Sequence, residues 1–159
     1  MARSAFVTTK PRKGSKRWYV AKLDEKVRRI VKLQEPGCIT CPETRPAELE
    51  LSHFWRRGFE QTRFDVDPAG NNHTQCRRCN RKHGRDREPY ERWFTQRFGP
   101  AAHAILATLN YRAHSQEQFD IFQLEELLQK LTAQLKALTD RRREARSFMS
   151  KPYDNDVPF

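Results

Sequence analysis

Two C-x2-C motifs decide the fold of this chain: Cys38-Ile39-Thr40-Cys41 and, 34 residues later, Cys76-Arg77-Arg78-Cys79. Two residues between the cysteines allow a tight turn to direct both thiolates to one point, and two such pairs suit one tetrahedral Zn²⁺. Two disulfides are the alternative, but nothing in the sequence indicates export, and cytosolic thiols stay reduced. Because four thiolates leave no open position for water, we predict that all four cysteines hold a structural zinc.

The segment between the motifs has the pattern of two short strands. From Ala47 to Phe54 polar and apolar residues alternate, which is typical of a half-buried strand. Asp67-Pro68-Ala69-Gly70-Asn71 is a strong turn signal, and residues 72–75 can form a return strand before the second motif. A helix can begin at Arg77. A zinc knuckle, a β-hairpin and a helix that starts at the second knuckle predict a treble-clef arrangement.

Helical spacing of apolar residues predicts that the rest of the chain is mainly helical. One stripe runs from Val20 to Val31, and others cover residues 90–98 and 102–109. A long C-terminal helix is predicted from Ser115, where Ser115 and Gln118 offer a capping box. Its leucines repeat as an a/d seam over residues 121–138, which can pair with the helix over 101–113 or with a second copy of the chain. We favour the homodimer.

The length of 159 residues suits one compact domain with appendages. We predict an α+β, mainly helical chain with four parts: a flexible basic arm (1–17), a zinc module with its preceding helix (18–99), a helical hairpin (100–150) and an acidic tail (151–159). Only 36% of the residues are hydrophobic. The core is therefore small, and a metal would supply stability that it lacks.

The formal net charge of +11 is concentrated in the first two-thirds of the chain. Residues 1–37 carry 11 basic and 3 acidic side chains, residues 38–99 carry 12 and 9, and residues 100–159 carry 8 of each. This distribution is typical of a polyanion binder, although a basic surface can also serve solubility alone. No apolar run reaches the length of a membrane span and no secretory signal is visible, which predicts a cytoplasmic protein.

The residues around the cysteines also match a family pattern. The matching segments are Cys38-x2-Cys41, Ser52-His53-Phe54-x2-Arg57-Gly58, Thr62-Arg63-Phe64-Asp65 and Asn71-x-His73-x-Gln75-Cys76-x2-Cys79-Asn80. In this order they resemble the NinG/Rap family of phage recombination proteins and, more broadly, the HNH or ββα-metal endonucleases, with the Cys-x2-Cys-Asn ending of phage endonuclease VII. The resemblance covers roughly residues 28–100. It implies metal-dependent, structure-selective cleavage of branched recombination DNA, such as Holliday junctions, in the cytoplasm of a bacterial host.

Hydrolysis of a phosphodiester requires a base that deprotonates water and a cation that stabilises the departing 3′-oxygen. His53, at the end of the predicted strand, is the best candidate for the base, because imidazole offers its neutral form at pH 7. A hydrogen-bonded structural histidine is the alternative. Asn80 directly follows the last cysteine, and the resemblance implies that its side-chain oxygen binds Mg²⁺ or Mn²⁺. A hydrogen bond at the helix start is the alternative role of Asn80.

The rest of the catalytic metal site departs from the family pattern. Ser52 stands where many HNH sites carry an acid or a histidine, and Glu50 stands where the NinG pattern has a histidine. A long Glu50 side chain can reach past Ser52 toward the metal. His83 and Asp86 are further candidate ligands, in place of a family Ser-Gly-Asn segment. For His73, the family match implies that it orients His53 or a phosphate, and a plain strand hydrogen bond is the alternative.

Cationic side chains surround these residues and predict contacts with DNA phosphates. Trp55 and Phe59 are either wedges at a branch point or core residues. The predicted DNA-binding residues are Arg56, Arg57, Arg63, Arg77, Arg78, Arg81 and Lys82. The competing hypotheses are an HNH nuclease of other specificity and a non-catalytic, zinc-stabilised DNA-binding or recombination-mediator protein.

The sequence ends in Tyr153-Asp154-Asn155-Asp156-Val157-Pro158-Phe159. This segment resembles the acidic tip of bacterial single-stranded-DNA-binding proteins, which implies docking on host replication or repair proteins that recognise that tip. Its carboxylates attract a basic rim, and Phe159 can fill an apolar pocket. The alternatives are an end without a partner and a self-contact that covers the protein's own basic cleft.

Overall fold

The structure is a computed structural model that describes residues 10–149, and it is mostly helical with one small antiparallel sheet. Short 3-10 turns lie at Pro46–Glu48 and Gly99–Ala101. The elements, in chain order, are α1 (Lys16–Gln34), β1 (Leu49–His53), α2 (Glu60–Arg63), β2 (Asn72–Cys76), α3 (Arg77–His83), α4 (Glu88–Phe98), α5 (Ala102–Ala113) and α6 (Ile121–Met149).

Strands β1 and β2 form the sheet, and β2 leads directly into the second cysteine motif. They are antiparallel, with Leu49 opposite Cys76 and His53 opposite Asn72. The predicted strands and the helix after the second motif are therefore present. The connection between the strands is longer than a tight hairpin turn and contains α2. Because Cys76 pairs with Leu49 and Asn72 pairs with His53, the second knuckle lies at one end of the sheet and His53 at the other.

The larger hydrophobic core lies between α1 and α6. On α1 the apolar stripe is buried, with Leu23, Val27 and Ile30 fully inaccessible to solvent. Leu124 and Leu131 of α6 pack into the same core. The seam that was predicted to pair with residues 101–113 or with a second copy is thus covered by α1 of the same chain. A homodimer stays a prediction, and it would need a surface other than this seam.

A second core holds α4 and α5 against the end of β1. Phe54 packs with Tyr90 and Phe94 of α4 and with Leu109 of α5. Helix α5 contacts α2 and α4, so residues 100–150 are not arranged as the expected helical hairpin. The chain reverses between α4 and α5 at Gly99, whose φ of 54° lies in the left-handed region that glycine adopts without a steric penalty.

Helix α6 starts later than the sequence pattern predicted, and a different pair of residues caps it. The backbone N–H of Gln123 donates to Asp120 Oδ1 at 2.8 Å, and the N–H of Asp120 donates to Gln123 Oε1 at 2.9 Å. This reciprocal pair is a capping box, which satisfies N–H groups that the first turn leaves free. The capping box predicted at Ser115 and Gln118 is therefore wrong, because residues 115–120 are not helical.

We expect Asp120→Ala to lower the free energy of unfolding by about 1 kcal/mol, because it removes the cap of α6. Urea denaturation followed by circular dichroism measures the change. Ser115→Ala is the matched control and is expected to change stability by less than about 0.5 kcal/mol. An equal loss for both variants would contradict the assignment of the cap.

The predicted basic arm overlaps the first helix. Helix α1 begins at Lys16, within the predicted arm, and its N-cap Ser15 accepts a hydrogen bond from the N–H of Trp18 at 3.2 Å. Most of the arm and the whole acidic tail with its predicted partner lie outside the described residues. Across residues 10–149, none of the helices combines the length and the apolar character that a membrane crossing requires.

Candidate metal centre and histidine cleft

The four cysteines form a compact cluster. Their Sγ atoms all lie within 4.8 Å of one another, and those of Cys41 and Cys76 are 3.7 Å apart. A tetrahedral zinc with bonds of about 2.3 Å to sulfur places its ligands about 3.8 Å from each other, so the cluster is compatible with the predicted zinc. The backbone N–H of Ile39 donates to the carbonyl of Thr74 at 3.0 Å, which ties the first knuckle to β2.

The surroundings of the thiols favour a bound cation. Burial raises the pKa of Cys41 to about 12 and also raises that of Cys79. At Cys38 burial has the same tendency, but hydrogen bonds, among them one with the Thr40 hydroxyl, outweigh it and lower the pKa to about 7. Zinc binds thiolates, so a metal dication would supply the positive charge that keeps the buried thiols ionised.

Beyond the knuckle, a cleft of about 630 Å³ opens at the end of β1. Its wall contains three of the five histidines of the chain, together with arginines and aromatic rings. We call it the histidine cleft. The lining residues are Leu51, His53, Phe54, Trp55, Arg56, Arg57, Phe59, Asn80, His83, Gly84, Arg87 and His114.

His53 lies in this cleft as a neutral imidazole. Its Nε2 is buried and makes no hydrogen bond with any residue of the described segment 10–149. Burial, together with the positive charges of Arg57 and Arg63, lowers the pKa of His53 to about 4, although the Asp24 carboxylate opposes the shift. An uncharged ring with a free nitrogen is able to accept a proton from a bound water molecule. The role of general base and the alternative role of a structural histidine both stay predictions, and the unpartnered Nε2 favours the first.

Asn80 and Glu50 are brought together by the sheet and α3. The Asn80 Nδ2 donates to Glu50 Oε2 at 3.0 Å, which leaves the side-chain oxygen of Asn80 for another partner. Glu50 also forms an ion pair with Arg77, in which Arg77 Nε lies 3.4 Å from Glu50 Oε1. Asn80 lines the histidine cleft together with His53, whereas Glu50 does not line it and is linked to it through its hydrogen bond with Asn80.

His83 and Asp86 are placed differently from each other. His83 Nε2 donates to the carbonyl of Phe54 at 3.1 Å, while its buried Nδ1 has no partner among residues 10–149. Burial lowers the pKa of His83, so the ring is neutral. Asp86 does not line the histidine cleft. It lies at a second cavity of about 200 Å³ beside Cys41 and accepts a hydrogen bond from the Glu88 backbone at 3.0 Å.

The burial and hydrogen bonds of Ser52 and His73 favour structural roles for both. Ser52 is fully buried and donates to Gln75 Oε1 at 2.7 Å. His73, also fully buried, is 2.6 Å from Glu35 through Nδ1 and donates to the carbonyl of Gly70 through Nε2 at 3.1 Å. Its ring contacts Trp93 of α4 and does not line the histidine cleft. Of the two predicted roles of His73, the hydrogen-bonded one matches this placement.

The predicted DNA-binding cations fall into three groups. Arg56 and Arg57 line the histidine cleft, and within the described part of the chain neither forms an ion pair. Arg63 instead binds Asp24 through two hydrogen bonds of 2.9 and 2.7 Å, and this contact between α2 and α1 favours a structural role for it. The remaining group lies around the knuckle and α3. Arg77 forms an ion pair with Glu50, and Arg78 and Lys82 line the smaller cavity. Arg81 is exposed and donates to the Arg77 carbonyl.

Two residues of the cleft were not among the predicted site residues. Arg87 precedes α4, and its guanidinium lies 4.1 Å from the centroid of the Trp55 ring. His114 ends α5 and contacts the same ring, with the centroids 4.9 Å apart. Neither residue belongs to a motif, and only the packing of α5 on α2 brings His114 close to residues of the hairpin connection.

Comparison with known proteins agrees with the pattern around the cysteines. No curated protein and no solved structure matches the chain. A model of one protein family, described as the bacteriophage lambda NinG protein, matches residues 3–142. This match covers most of the sequence and includes both cysteine motifs, His53 and Asn80, as the resemblance predicted. The chain therefore belongs to the NinG family of bacteriophage proteins.

Proposed function

We propose that this NinG-family protein is a zinc-stabilised DNA endonuclease of the HNH type, which cuts branched recombination intermediates such as Holliday junctions. The observation that carries the proposal is His53: its ring is neutral, and it shares a cleft with Asn80, Arg56 and Arg57. Among the residues that the structure describes, His53 Nε2 has no hydrogen-bond partner and neither arginine has an acidic one. The order β1, β2, α3 around four clustered cysteines further supports a ββα-metal module on a treble-clef zinc site.

In this proposal the residues of the cleft and the neighbouring Glu50 have separate roles in hydrolysis. His53 accepts the proton of the attacking water. Arg56 and Arg57 bind the phosphate oxygens on either side of the reacting group. Asn80, through its side-chain oxygen, and Glu50 are the residues that would hold Mg²⁺ or Mn²⁺, ions that prefer oxygen ligands. Such an ion supplies stabilisation of the negative charge that develops on the leaving oxygen.

Substrate binding would itself strengthen the base. In the free protein the positive charge of Arg57 opposes protonation of His53. A bound phosphodiester brings negative charge to the same cleft, and a nearby opposite charge favours the protonated imidazole. The pKa of His53 is therefore expected to rise from about 4 when DNA is bound, which moves it closer to the range where imidazole is an efficient base.

We expect Arg57→Gln to weaken DNA binding uniformly across sequences and to reduce the slope of log K against log salt by about 1, because one phosphate contact is lost. Fluorescence anisotropy at several salt concentrations measures both quantities. Arg92→Gln is the matched control, because Arg92 is an exposed arginine of α4 that pairs with Glu88 and does not line the cleft. Equal effects of the two substitutions would contradict the assignment of phosphate binding to this cleft.

The direct test is incubation of an end-labelled four-way junction and a matched linear duplex with the zinc-loaded protein and Mg²⁺ or Mn²⁺. We expect cleavage of the junction in both metals and weaker cleavage of the duplex. Failure to cut either substrate in either metal would refute the nuclease proposal. Cleavage of both at equal rates would retain the nuclease but point to an HNH enzyme of other specificity.

A non-catalytic DNA-binding or mediator protein is the second candidate function. It is favoured by the small number of oxygen ligands, because Asp86 lies outside the histidine cleft and Arg77 competes for Glu50. In residues 10–149 the four cysteines are the only cluster of His, Cys, Asp or Glu close enough for one ion. Titration with Mn²⁺ distinguishes the two functions, because a nuclease binds Mn²⁺ in addition to one zinc and a DNA-binding module does not.

A further inference from the structure

The histidine cleft contains a group of rings that the proposed cleavage chemistry does not use. Trp55, Phe59 and His114 line the cleft side by side, and we call them the aromatic wall. The ring centroid of Trp55 lies 6.0 Å from that of Phe59 and 4.9 Å from that of His114, and Phe59 and His114 are 5.0 Å apart. Trp55 and Phe59 are half-buried and His114 is exposed, so a ligand in the cleft can reach the wall.

The aromatic wall is held in place by polar contacts. Buried Asn71 binds the backbone of Trp55 twice: its Oδ1 accepts from the Trp55 N–H at 2.7 Å, and its Nδ2 donates to the Trp55 carbonyl at 2.9 Å. His114 Nδ1 donates to the carbonyl of Asn110 at 2.8 Å, which fixes the third ring on α5. Rings that are already positioned lose little conformational entropy when a planar ligand stacks on them.

Two arginines add positive charge beside these rings. Arg87 lies over Trp55, and the guanidinium carbon of Arg56 is 5.4 Å from the centroid of Phe59. Within residues 10–149 neither guanidinium forms an ion pair with a carboxylate. Aromatic faces next to unpaired cations are the combination by which proteins bind single-stranded nucleic acid, where bases stack and phosphates are neutralised.

One buried donor in the wall also lacks a partner. The indole Nε1 of Trp55 is inaccessible to solvent and makes no hydrogen bond with the part of the chain that the structure describes. An indole N–H only donates, and a buried donor without an acceptor costs roughly 1–3 kcal/mol. A ligand can satisfy this group only when stacking shifts the Trp55 ring enough to expose Nε1, and the carbonyl groups of nucleobases are acceptors of the kind that it needs.

We infer that the aromatic wall binds one unpaired nucleobase next to the phosphate that His53 attacks. The inference deepens the proposed function and rests on it only for the position of that phosphate. Bases within a duplex stack on each other and cover both faces, whereas an unpaired base at a branch or a single-stranded end exposes its face. The wall thus gives the cleft a preference for DNA that contains unpaired nucleotides.

The test uses the fluorescence of Trp55 and needs no cleavage. Trp18 and Trp93, the other two tryptophans of the chain, are replaced by phenylalanine, and the zinc-loaded protein is titrated without Mg²⁺ or Mn²⁺. Oligothymidylate is expected to quench the remaining fluorescence saturably, because stacking of a base quenches indole. A blunt duplex of equal phosphate number is expected to bind with little quenching. If the double variant fails to fold, the wild type is compared with Trp55→Phe in the same titration.

Matched variants identify the wall as the binding element. Phe59→Leu and His114→Ala are expected to raise the Kd for oligothymidylate at least fivefold, since stacking on one aromatic side chain contributes about that much or more. Tyr111→Ala removes an 80% exposed ring from the same helix outside the cleft and is expected to change nothing. Absent quenching, equal quenching by duplex, or an equal effect of Tyr111→Ala would overturn the inference. Quenching by oligothymidylate in a protein that cuts no DNA would support the wall and refute only the nuclease.

Discussion

Replacing His53 with alanine is expected to slow metal-dependent cleavage roughly 100- to 10,000-fold, the usual contribution of a positioned general base. The fold should survive, because the substitution removes a buried Nε2 that has no hydrogen-bond partner. Loss of an unsatisfied polar atom costs little, whereas loss of one partner of a buried hydrogen bond costs more. DNA affinity is expected to change little, since Arg56, Arg57 and Arg87 stay in the cleft.

The pH dependence gives a second readout of the same residue. Protonation inactivates a general base, so cleavage is lost as the pH falls through the pKa of His53. That pKa is about 4 in the free protein, and the acid limb of kcat/KM is expected below pH 5, not near the 6.5 of exposed imidazole. The control is His103→Ala, an exposed histidine of α5 outside the cleft. If His53→Ala cleaves at the wild-type rate, His53 is not the base, and His83 and His114 are the next candidates.

The local structure around the cysteines could be predicted from the sequence because its signals are short-range. The C-x2-C spacing, the alternation before His53 and the turn residues before Asn72 each act within a few positions of the chain. The two strands and α3 accordingly begin close to the predicted residues. His53 and Asn80 were identified by the same motif, and the register of the sheet and the start of α3 bring them to one cleft.

The parts that were missed depend on contacts between distant residues. Periodicity indicates that α6 has an apolar face, but not that this face packs on α1 about a hundred positions earlier in the chain. In the sequence Arg63 is a typical candidate for a phosphate contact, and only the folded structure shows that its guanidinium binds Asp24 instead. His114 carries no local signal at all. The capping box of α6 was misplaced because Ser-x-x-Gln and Asp-x-x-Gln occur five residues apart, and only packing selects between them.

Replacement of Cys76 with serine is expected to unfold the zinc module. Cys76 is buried, ends β2 and precedes α3, so its loss removes a ligand where the sheet and the helix meet. Structural zinc contributes roughly 10–16 kcal/mol in small zinc domains, whereas a whole domain is stable by about 5–15 kcal/mol. Few other contacts can offset that loss. We expect the variant to bind less than one zinc per chain and to lose the dispersion of its amide resonances for residues 38–83.

Part of the helical signal should persist in this variant. Helices α1 and α6 pack through a core that contains none of the four cysteines, so far-UV circular dichroism is expected to fall only in part. Thr74→Val is the matched control on the same buried strand, because the Thr74 hydroxyl has no hydrogen-bond partner in the described part of the chain and valine keeps its shape. Its stability and zinc content are expected to equal or exceed those of the wild type. A folded Cys76→Ser protein with one tightly bound zinc would contradict the four-cysteine site, since three thiolates and a water would then be sufficient to hold the metal.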